Sequence, residues 1–221
     1  MEIVVADDPA GLAARRIAYR LRDAVRRRGL ASLALSGGST APPMIDALVA
    51  ARVPWSSVAI WQVDERVAAD GHQARNANQL TPFDAVACRV RPMPVTAGDL
   101  RAAARRYAGG LPDRFDVVHL GLGDDGHTAS WPPGRPEVRR SERTVELVEM
   151  FNGWPRMTLT ERVVNDARCR VVLTTGSAKR PMVERWLLGD EDLPVHAVRR
   201  RSTWVFLDPG AAPEVPLATR Q

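Results

Sequence analysis

The sequence predicts an α/β fold in which a mostly parallel sheet is covered by helices on both faces. Along the 221 residues, short apolar runs typical of strands alternate with helical segments. The central apolar runs are continuous rather than alternating, as expected of strands buried on both faces. Several runs end abruptly in glycine-rich or polar clusters, and in parallel sheets ligands bind at that edge. The pattern therefore predicts both a fold class and the place of its site.

The first half of the chain supplies two predicted helices and two predicted strands. Ile17, Leu21 and Val25 recur at a spacing of four, which indicates an amphipathic helix with one buried stripe. Pro42 and Pro43 suit the first turn of the next helix. A polar stretch to residue 78 follows the second strand. In order, the predicted elements are a helix over Pro9–Arg28, a strand over 30–35, a helix over 44–51 and a strand over 58–63.

The second half continues the alternation. Thr160 is the expected cap of a short helix. The predicted elements are a helix over 100–111, strands over 117–122 and 144–148, a helix over 160–167, a strand over 171–175, a helix over 179–188 and a strand over Thr203–Leu207, with a loose proline-rich tail beyond. No internal repeat or long linker interrupts them, so we expect one domain over residues 1–221.

The chain is basic, with a formal net charge of +5 and a pI near 10.1. Of its 31 basic residues one is a lysine, Lys179, and thirty are arginines. Clustered arginines can bind nucleic acid through phosphates, but the densest cluster, over residues 15–28, falls mostly on the solvated face of the first predicted helix. Aromatic residues, which stack on bases, make up only 5%. We therefore expect no nucleic-acid partner.

Other classes of protein are excluded by simple counts. There is no uninterrupted apolar run of about 18 residues, so no transmembrane helix is expected. The N-terminal residues carry acids where a signal peptide requires basic side chains. Two cysteines, Cys88 and Cys169, give neither a disulfide framework nor a metal-site spacing. We expect a cytoplasmic protein with no metal, no cofactor and no membrane partner, as a monomer or small homo-oligomer.

The first polar cluster, SGGST at residues 36–40, lies between a strand and a proline-started helix. Glycines let a backbone approach an anion, and the free N–H groups of a helix start favour negative charge. The cluster differs from a Walker A loop, which needs GxxxxGK[ST]. It is equally well explained as a phosphate cradle or as a tight turn with a helix cap.

The cluster LGLGDDGHTAS at residues 120–130 places a histidine in a glycine-bent loop at a strand end. An imidazole titrates near physiological pH, so His127 is a candidate general base. Asp124 and Asp125 are both candidates for orienting it. The remaining histidines are expected to be structural: His72, His119 and His196.

The cluster TTGSAKR at residues 174–180 again has a strand, a glycine turn and a helix start. Lys179 lies in that first turn. A solvated surface lysine is the ordinary explanation, but here arginine occupies every other basic position. Because lysine offers a compact charge where arginine offers a wide planar fork, a pocket of fixed size favours lysine. Lys179 is therefore a candidate phosphate ligand.

Together these segments resemble those of 6-phosphogluconolactonases, a family grouped with glucosamine-6-phosphate deaminases, ribose-5-phosphate isomerases and CoA transferases. The resemblance rests on SGGST at 36–40, VDER at 63–66, FDVVHLGLGDDGHTAS at 115–130, RMTLT at 156–160 and TTGSAK at 174–179. It implies a Rossmann-like version of the predicted fold. It also implies hydrolysis of 6-phospho-D-glucono-1,5-lactone to 6-phospho-D-gluconate in the oxidative pentose phosphate pathway.

The resemblance further implies a role for each matching position. His127 matches the proposed general base, and Arg66 matches a residue that positions substrate and stabilises charge. Asp64 matches an acid shared with the deaminases. The implied substrate- and phosphate-binding set is Gly37, Gly38, Ser39, Thr40, Asp64, Asp125, Gly126, Arg156 and Lys179.

Two alternatives to a lactonase share the same fold: a glucosamine-6-phosphate deaminase or sugar-phosphate isomerase, and a non-catalytic sugar-phosphate sensor. A deaminase carries a glutamate in the histidine loop, where this chain has Pro132, and tends to have DEY where this chain ends in Arg66. A non-catalytic sugar-phosphate sensor is less consistent with the presence of both His127 and Arg66. One departure from the lactonase pattern stands at residues 131–134, WPPG instead of LFPG, and we expect it to change the pocket wall.

Overall fold

Seven parallel strands form the main sheet of the computed structural model, which describes residues 1–214. Numbered in chain order, they are β1 (Glu2–Val5), β2 (Ala31–Leu35), β3 (Val58–Gln62), β5 (Arg89–Arg91), β6 (Val117–Leu120), β9 (Arg170–Thr174) and β10 (Thr203–Leu207). Their order across the sheet is β1–β10–β9–β6–β2–β3–β5, and every neighbouring pair is parallel. The predicted parallel α/β fold is confirmed. Residues 215–221, which hold much of the tail predicted to be loose, lie outside the described residues.

A second, antiparallel sheet has the order β4–β8–β7. Its strands are β4 (Asp64–Arg66), β7 (Val145–Phe151) and β8 (Trp154–Leu159). The strand predicted over residues 144–148 belongs here rather than to the main sheet, and it is longer than predicted. Asn152 and Gly153 both have positive φ, 47° and 79°, and make the two-residue turn between β7 and β8. This hairpin approaches the end of β3 through β4.

Residues 1–214 also form six α-helices: α1 (Pro9–Arg28), α2 (Ala41–Val49), α3 (Leu100–Gly109), α4 (Pro136–Arg139), α5 (Glu161–Asp166) and α6 (Arg180–Leu188). The carboxylate of Asp8 accepts the Gly11 N–H at 2.8 Å to cap α1, and Gly29 ends it with φ 78°. The buried stripe of α1 includes Ile17 and Leu21, whereas most of its arginines are exposed, as predicted. No helix of residues 1–214 is long and apolar enough to cross a membrane.

Side chains alternate between two hydrophobic cores because successive strand residues point to opposite faces. Leu33 and Leu35 of β2 pack with the apolar stripes of α1 and α2, whereas Ala34 packs with residues of α3 and α6 on the other face. The strands are covered on both sides. Continuous apolar runs were therefore the correct signal for the central strands.

Several boundaries differ from the predictions for local reasons. Helix α2 begins at Ala41 because Pro42 and Pro43 lie inside its first turn. Helix α6 begins at Arg180, after a 3₁₀ turn, Ser177–Lys179. Thr160 is the N-cap residue of α5, as predicted, but its hydroxyl donates to the Arg143 carbonyl at 2.7 Å and does not accept a helix N–H. The sequence also did not predict β1, β4, β5, β8, α4 and the 3₁₀ segments Trp55–Ser57, Asn76–Ala85 and Pro194–Ala197.

Candidate active site

Polar clusters follow four predicted strands, at residues 36–40, 64–66, 123–128 and 175–179, and these strands, β2, β3, β6 and β9, are adjacent in the sheet. The Ser36 N–H donates to the His119 carbonyl at 3.2 Å, and the Thr40 hydroxyl donates to the Leu173 carbonyl at 3.4 Å. A Cβ placed on Gly121 would lie 4.0 Å from the Gly37 carbonyl oxygen. The loops after β2, β6 and β9 are therefore in contact at one edge of the sheet, and the predicted convergence is confirmed.

The SGGST loop has an open backbone edge. Within residues 1–214, the N–H groups of Gly38, Ser39 and Thr40 have no protein acceptor. Gly38 adopts φ 113°, a conformation that favours glycine. A Cβ on Gly37 would lie 2.1 Å from the side-chain oxygen of Asn76, so that position also requires glycine. Free N–H groups at the start of α2 are the arrangement that binds a phosphate.

His127 forms a hydrogen-bonded pair with one of the two candidate acids. Its Nδ1 lies 2.5 Å from Oδ1 of Asp125, and the same oxygen accepts the His127 backbone N–H at 3.1 Å. Asp124 instead contacts Lys179. The residue that orients the imidazole is therefore Asp125.

The ionisation of Asp125 follows from its contacts. Burial alone would raise the pKa of the Asp125 carboxyl, but the hydrogen bond to His127, with the charge and N–H of that residue, lowers the pKa to about 2. An ionised carboxylate can only accept a hydrogen bond, so in the neutral imidazole the hydrogen is carried by Nδ1, which donates it to Asp125. Nε2 of His127 is left with a free lone pair, as a general base requires.

Glycines allow the histidine loop to close around the pair. A Cβ on Gly123 would lie 2.0 Å from Nδ1 of His127 and 2.8 Å from Oδ1 of Asp125, so only a glycine leaves room for them. Gly126 adopts φ 81°, and a Cβ there would lie 2.6 Å from the Leu193 side chain. The predicted importance of Gly126 is thus explained by backbone conformation and packing against Leu193.

Arg66 extends from β4 into a polar cluster with residues of the following loop. One guanidinium nitrogen, Nη1, donates to the Asn76 side chain at 2.7 Å and to the Ala74 carbonyl at 2.8 Å. The Arg66 Nε is buried and has no acceptor among residues 1–214. Glu65, fully buried, accepts the backbone N–H groups of Arg66 and Asn76. Asn76 therefore joins the arginine to the SGGST loop, because the same side chain packs on Gly37.

Arg156 lies opposite Arg66 in the pairing of β4 with β8. Its side chain is only 5% exposed and is held by the protein: Nε donates to the Phe151 carbonyl at 3.0 Å, and Nη1 lies 3.4 Å from the Ser130 hydroxyl and 3.9 Å from the Asp64 carboxylate. Burial and the neighbouring Arg66 charge lower the pKa of Arg156, and Asp64 opposes them. Arg156 is thus mainly a buried support, less open to a ligand than predicted.

Asp64 and Ser130 complete this buried network. The Ser130 hydroxyl donates to the Asp64 carboxylate at 2.7 Å, and the Ser130 N–H donates to the Thr158 hydroxyl at 3.2 Å. Both side chains are almost fully buried. They connect the histidine loop to β4 and β8. Asp64, which was predicted to be a site residue, therefore makes a structural contact and is not exposed to a ligand.

Lys179 lies at the end of the turn after β9. Its Nζ is 2.7 Å from the Asp124 carboxylate, and the lysine side chain is 19% exposed against 77% for the aspartate. A solvent-exposed carboxylate is an easily displaced partner. Lys179 therefore lies against the histidine loop, where an anionic ligand can replace Asp124 as its ion-pair partner.

Residues 131–134 were expected to change the pocket wall, and the structure places them in two different environments. Trp131 is fully buried and donates Nε1–H to the Leu159 carbonyl at 2.8 Å, so it is a core residue. Pro132, Pro133 and Gly134 do line a cleft of about 520 Å³ beside Asp125. Among residues 1–214, no group of three or more His, Cys, Asp or Glu side chains is arranged to hold a metal ion.

Sequence reasoning missed four residues of the site: Glu65, Asn76, Ser130 and Phe151. Glu65 and Ser130 lie inside recognised motifs, VDER and DGHTAS, whereas Asn76 and Phe151 lie in segments without a motif. The ring of Phe151 lies 5.0 Å from that of His127. A free backbone edge, an Asp–His pair and two neighbouring arginines at one sheet edge define an α/β protein with an enzyme-like site for an anionic small molecule.

The chain belongs to the family of glucosamine-6-phosphate isomerases and 6-phosphogluconolactonases, which it matches over residues 6–207. It is 34% identical over 180 residues to a 6-phosphogluconolactonase of Synechocystis, covering 74% of each chain. It is also 34% identical over 214 residues to a 6-phosphogluconolactonase of Rhizobium meliloti, covering 89% of this chain and 92% of the relative. A crystal structure of a 6-phosphogluconolactonase from Shewanella baltica superposes with a TM-score of 0.84 at 25% identity, covering 94% of this chain and 96% of that one.

Proposed function

We propose that the protein hydrolyses 6-phospho-D-glucono-1,5-lactone to 6-phospho-D-gluconate. The observation that carries the proposal is the Asp125–His127 pair, whose free Nε2 lies at the same sheet edge as the open SGGST backbone. One end of the site suits a phosphate and the other holds a base. Relatives of about a third identity over most of the chain bear the name of this activity.

The phosphate end uses groups that carry positive charge or free donors. The N–H groups of Gly38, Ser39 and Thr40 lie at the start of α2 and donate to the anion. Lys179 exchanges the Asp124 carboxylate for the substrate phosphate, which carries more charge. Arg66 of β4, with Arg156 of β8 directly opposite it, adds positive charge at this edge of the sheet.

The chemical step begins at Nε2 of His127. This nitrogen accepts a proton from water as the water oxygen bonds to the C1 carbonyl carbon of the lactone. Asp125 stabilises the imidazolium that forms without taking its proton. The Arg66 guanidinium, which is partly exposed and hydrogen-bonds to the protein through Nη1, offsets the negative charge that develops on the carbonyl oxygen.

Ring opening completes the reaction. The tetrahedral intermediate collapses, the bond between C1 and the ring oxygen breaks, and the imidazolium of His127 returns its proton to that oxygen. The products are a carboxylic acid, which ionises, and a free C5 hydroxyl, so atoms and protons balance with one water consumed. Each step uses side chains of this chain, and we propose that no cofactor takes part.

A deaminase reaction is the alternative within the family. The deaminase loop uses a glutamate where this chain has Pro132, a buried side chain with no ionisable group. We therefore favour the lactonase. We further propose that the protein works in the oxidative pentose phosphate pathway of the cytoplasm, on a small-molecule substrate, as a monomer or small homo-oligomer.

The test is a paired assay of the purified protein. Freshly prepared 6-phosphogluconolactone is supplied with correction for its spontaneous hydrolysis, and glucosamine 6-phosphate is supplied with detection of ammonia. Lactone hydrolysis well above the spontaneous rate, with no ammonia release, supports the proposal. Ammonia release in place of lactone hydrolysis would identify a deaminase, and activity in neither arm would favour a sensor.

A further inference from the structure

Phe151 contacts the catalytic pair although no step of the proposed reaction uses it. Its ring centroid lies 5.0 Å from that of His127, with the two ring planes at 90°. The guanidinium carbon of Arg156 lies 5.0 Å from the same ring, and the Phe151 carbonyl accepts the Arg156 Nε–H. One residue thus touches both the base and the buried arginine.

A β-bulge in β7 places Phe151 there. Val145, Leu147 and Val148 pair with β8 in one register, but Phe151 pairs with Trp154 one residue out of that register. The extra residue leaves Glu149 and Met150 both exposed and turns Phe151 to the face that carries Val148. Arg156 is the direct cross-strand partner of Val148, so it shares this face. Bulges beside functional sites often re-aim a side chain in this way.

The Phe151 ring also packs against aliphatic side chains. It is 8% exposed and forms a small apolar cluster with Val138 of α4 and Val148 of β7, separate from the two main cores. Arg156 is itself fixed by Ser130 and Asp64. The ring is therefore packed against both aliphatic groups and a buried guanidinium.

The orientation of His127 needs such a support. The hydrogen bond from Nδ1 to Asp125 fixes one point of the imidazole but leaves the ring free to tilt about that bond. An edge-to-face aromatic contact restricts the tilt, because it has a preferred angle. With both contacts made, the direction of the Nε2 lone pair is determined.

We propose that Phe151 is a positioning residue that locks the plane of the His127 imidazole and connects it to the buried Arg156. This inference rests on the proposed lactonase function, since it assigns Phe151 a part in orienting the base of that reaction. A positioning residue of this kind acts on the transition state and not on substrate binding, so it changes kcat rather than KM.

The experiment compares Phe151 variants with a packing control. Phe151→Leu and Phe151→Met remove the aromatic ring and keep an apolar side chain beside Val138. Val148→Ala weakens the same cluster without contacting His127, so it is the control for packing alone. Each protein is checked for folding by circular dichroism and thermal unfolding, and kcat and KM for the lactone are then measured.

We expect the two Phe151 variants to lose about 10-fold in kcat, with KM within twofold of wild type. Loss of the aromatic contact alone corresponds to a factor of about 2 to 10 in rate, and a less rigidly held base lowers the rate further. Val148→Ala should keep kcat and KM within twofold while its melting temperature falls. A kcat within twofold of wild type in the Phe151 variants, an equal loss in Val148→Ala, or a change confined to KM would overturn the inference. Absence of lactonase activity in the wild type would instead reject the proposed function itself.

Discussion

Gly123→Ala is the variant for which the structure gives the most definite expectation. A Cβ on this residue would lie 2.0 Å from Nδ1 and 2.1 Å from Cε1 of His127, and real Cβ contacts are essentially never below 3.0 Å. The imidazole must therefore move by at least about 1 Å or lose its bond to Asp125. A misplacement of about 1 Å costs about 10²-fold in rate. We expect kcat for lactone hydrolysis to fall by about that factor.

Gly121→Ala is the matched control in the same loop. Its Cβ would meet only the Gly37 carbonyl oxygen, at 4.0 Å, an ordinary van der Waals contact, and neither glycine has a positive φ that alanine would strain. We expect kcat within about twofold of wild type and unchanged circular dichroism. Equal activity of the two alanine variants, whether both high or both low, would refute the steric reasoning.

Three further predictions concern single side chains. Asp125→Asn should lower kcat by about 10²–10⁴-fold in a steady-state assay with little change in KM, because an amide no longer fixes the proton on Nδ1 of His127; full activity would show that the pair has no catalytic role. Lys179→Ala should raise KM by about 10- to 100-fold, the value of a hydrogen bond between charged groups, whereas Asp124→Asn should lower KM by freeing the lysine; an unchanged KM in Lys179→Ala would remove Lys179 from the phosphate site. His119 is fully buried, and burial lowers its pKa from 6.5 to about 4. The unfolded chain therefore takes up a proton at His119 between pH 6.5 and 4 that the folded chain refuses, so stability falls as pH falls through this window, by an amount on the order of 3 kcal/mol. His119→Leu should flatten this part of the stability curve in denaturant unfolding, and an identical slope in both proteins would contradict the assignment.

The main sheet could be predicted because its inner strands are buried on both faces and are consequently apolar throughout. β2, β6 and β9 are of this kind. The polar clusters at the ends of these strands could be predicted as well, because they interrupt the apolar runs. The strands that were missed are short or polar. β4 consists of three charged residues, Asp64–Arg66, and pairs only because β8 approaches it. Their pairing depends on long-range contacts that no local pattern contains.

The β7–β8 hairpin carried a signal that the predictions did not use. Asn-Gly at residues 152–153 favours a two-residue turn, and apolar residues flank it. The bulge at Glu149 and Met150 breaks the alternation of β7, which explains why the predicted strand stopped at residue 148. Pro155 and Arg156 make β8 difficult to predict, since neither residue is typical of a strand.

The residues of the site divide along similar lines. His127 and Lys179 were predicted because their residue types and neighbours are chemically distinctive, whereas Arg66 was predicted from the resemblance of VDER to the family motif. The choice between Asp124 and Asp125 required the fold of the loop, because adjacent side chains can point to different partners. Asn76 and Phe151 have no distinguishing neighbours in the sequence, and only their contacts with Arg66 and His127 mark them. The prediction of a single domain over residues 1–221 stays a prediction.

The central claim is that Nε2 of His127 removes the proton from the attacking water. Its most direct test is the kcat of His127→Gln on freshly prepared 6-phosphogluconolactone, because glutamine retains hydrogen bonding and cannot act as a base. We expect the kcat of His127→Gln to fall by about 10²–10⁴-fold relative to wild type after subtraction of the spontaneous rate, with the fold intact by circular dichroism. A kcat within threefold of wild type would contradict it.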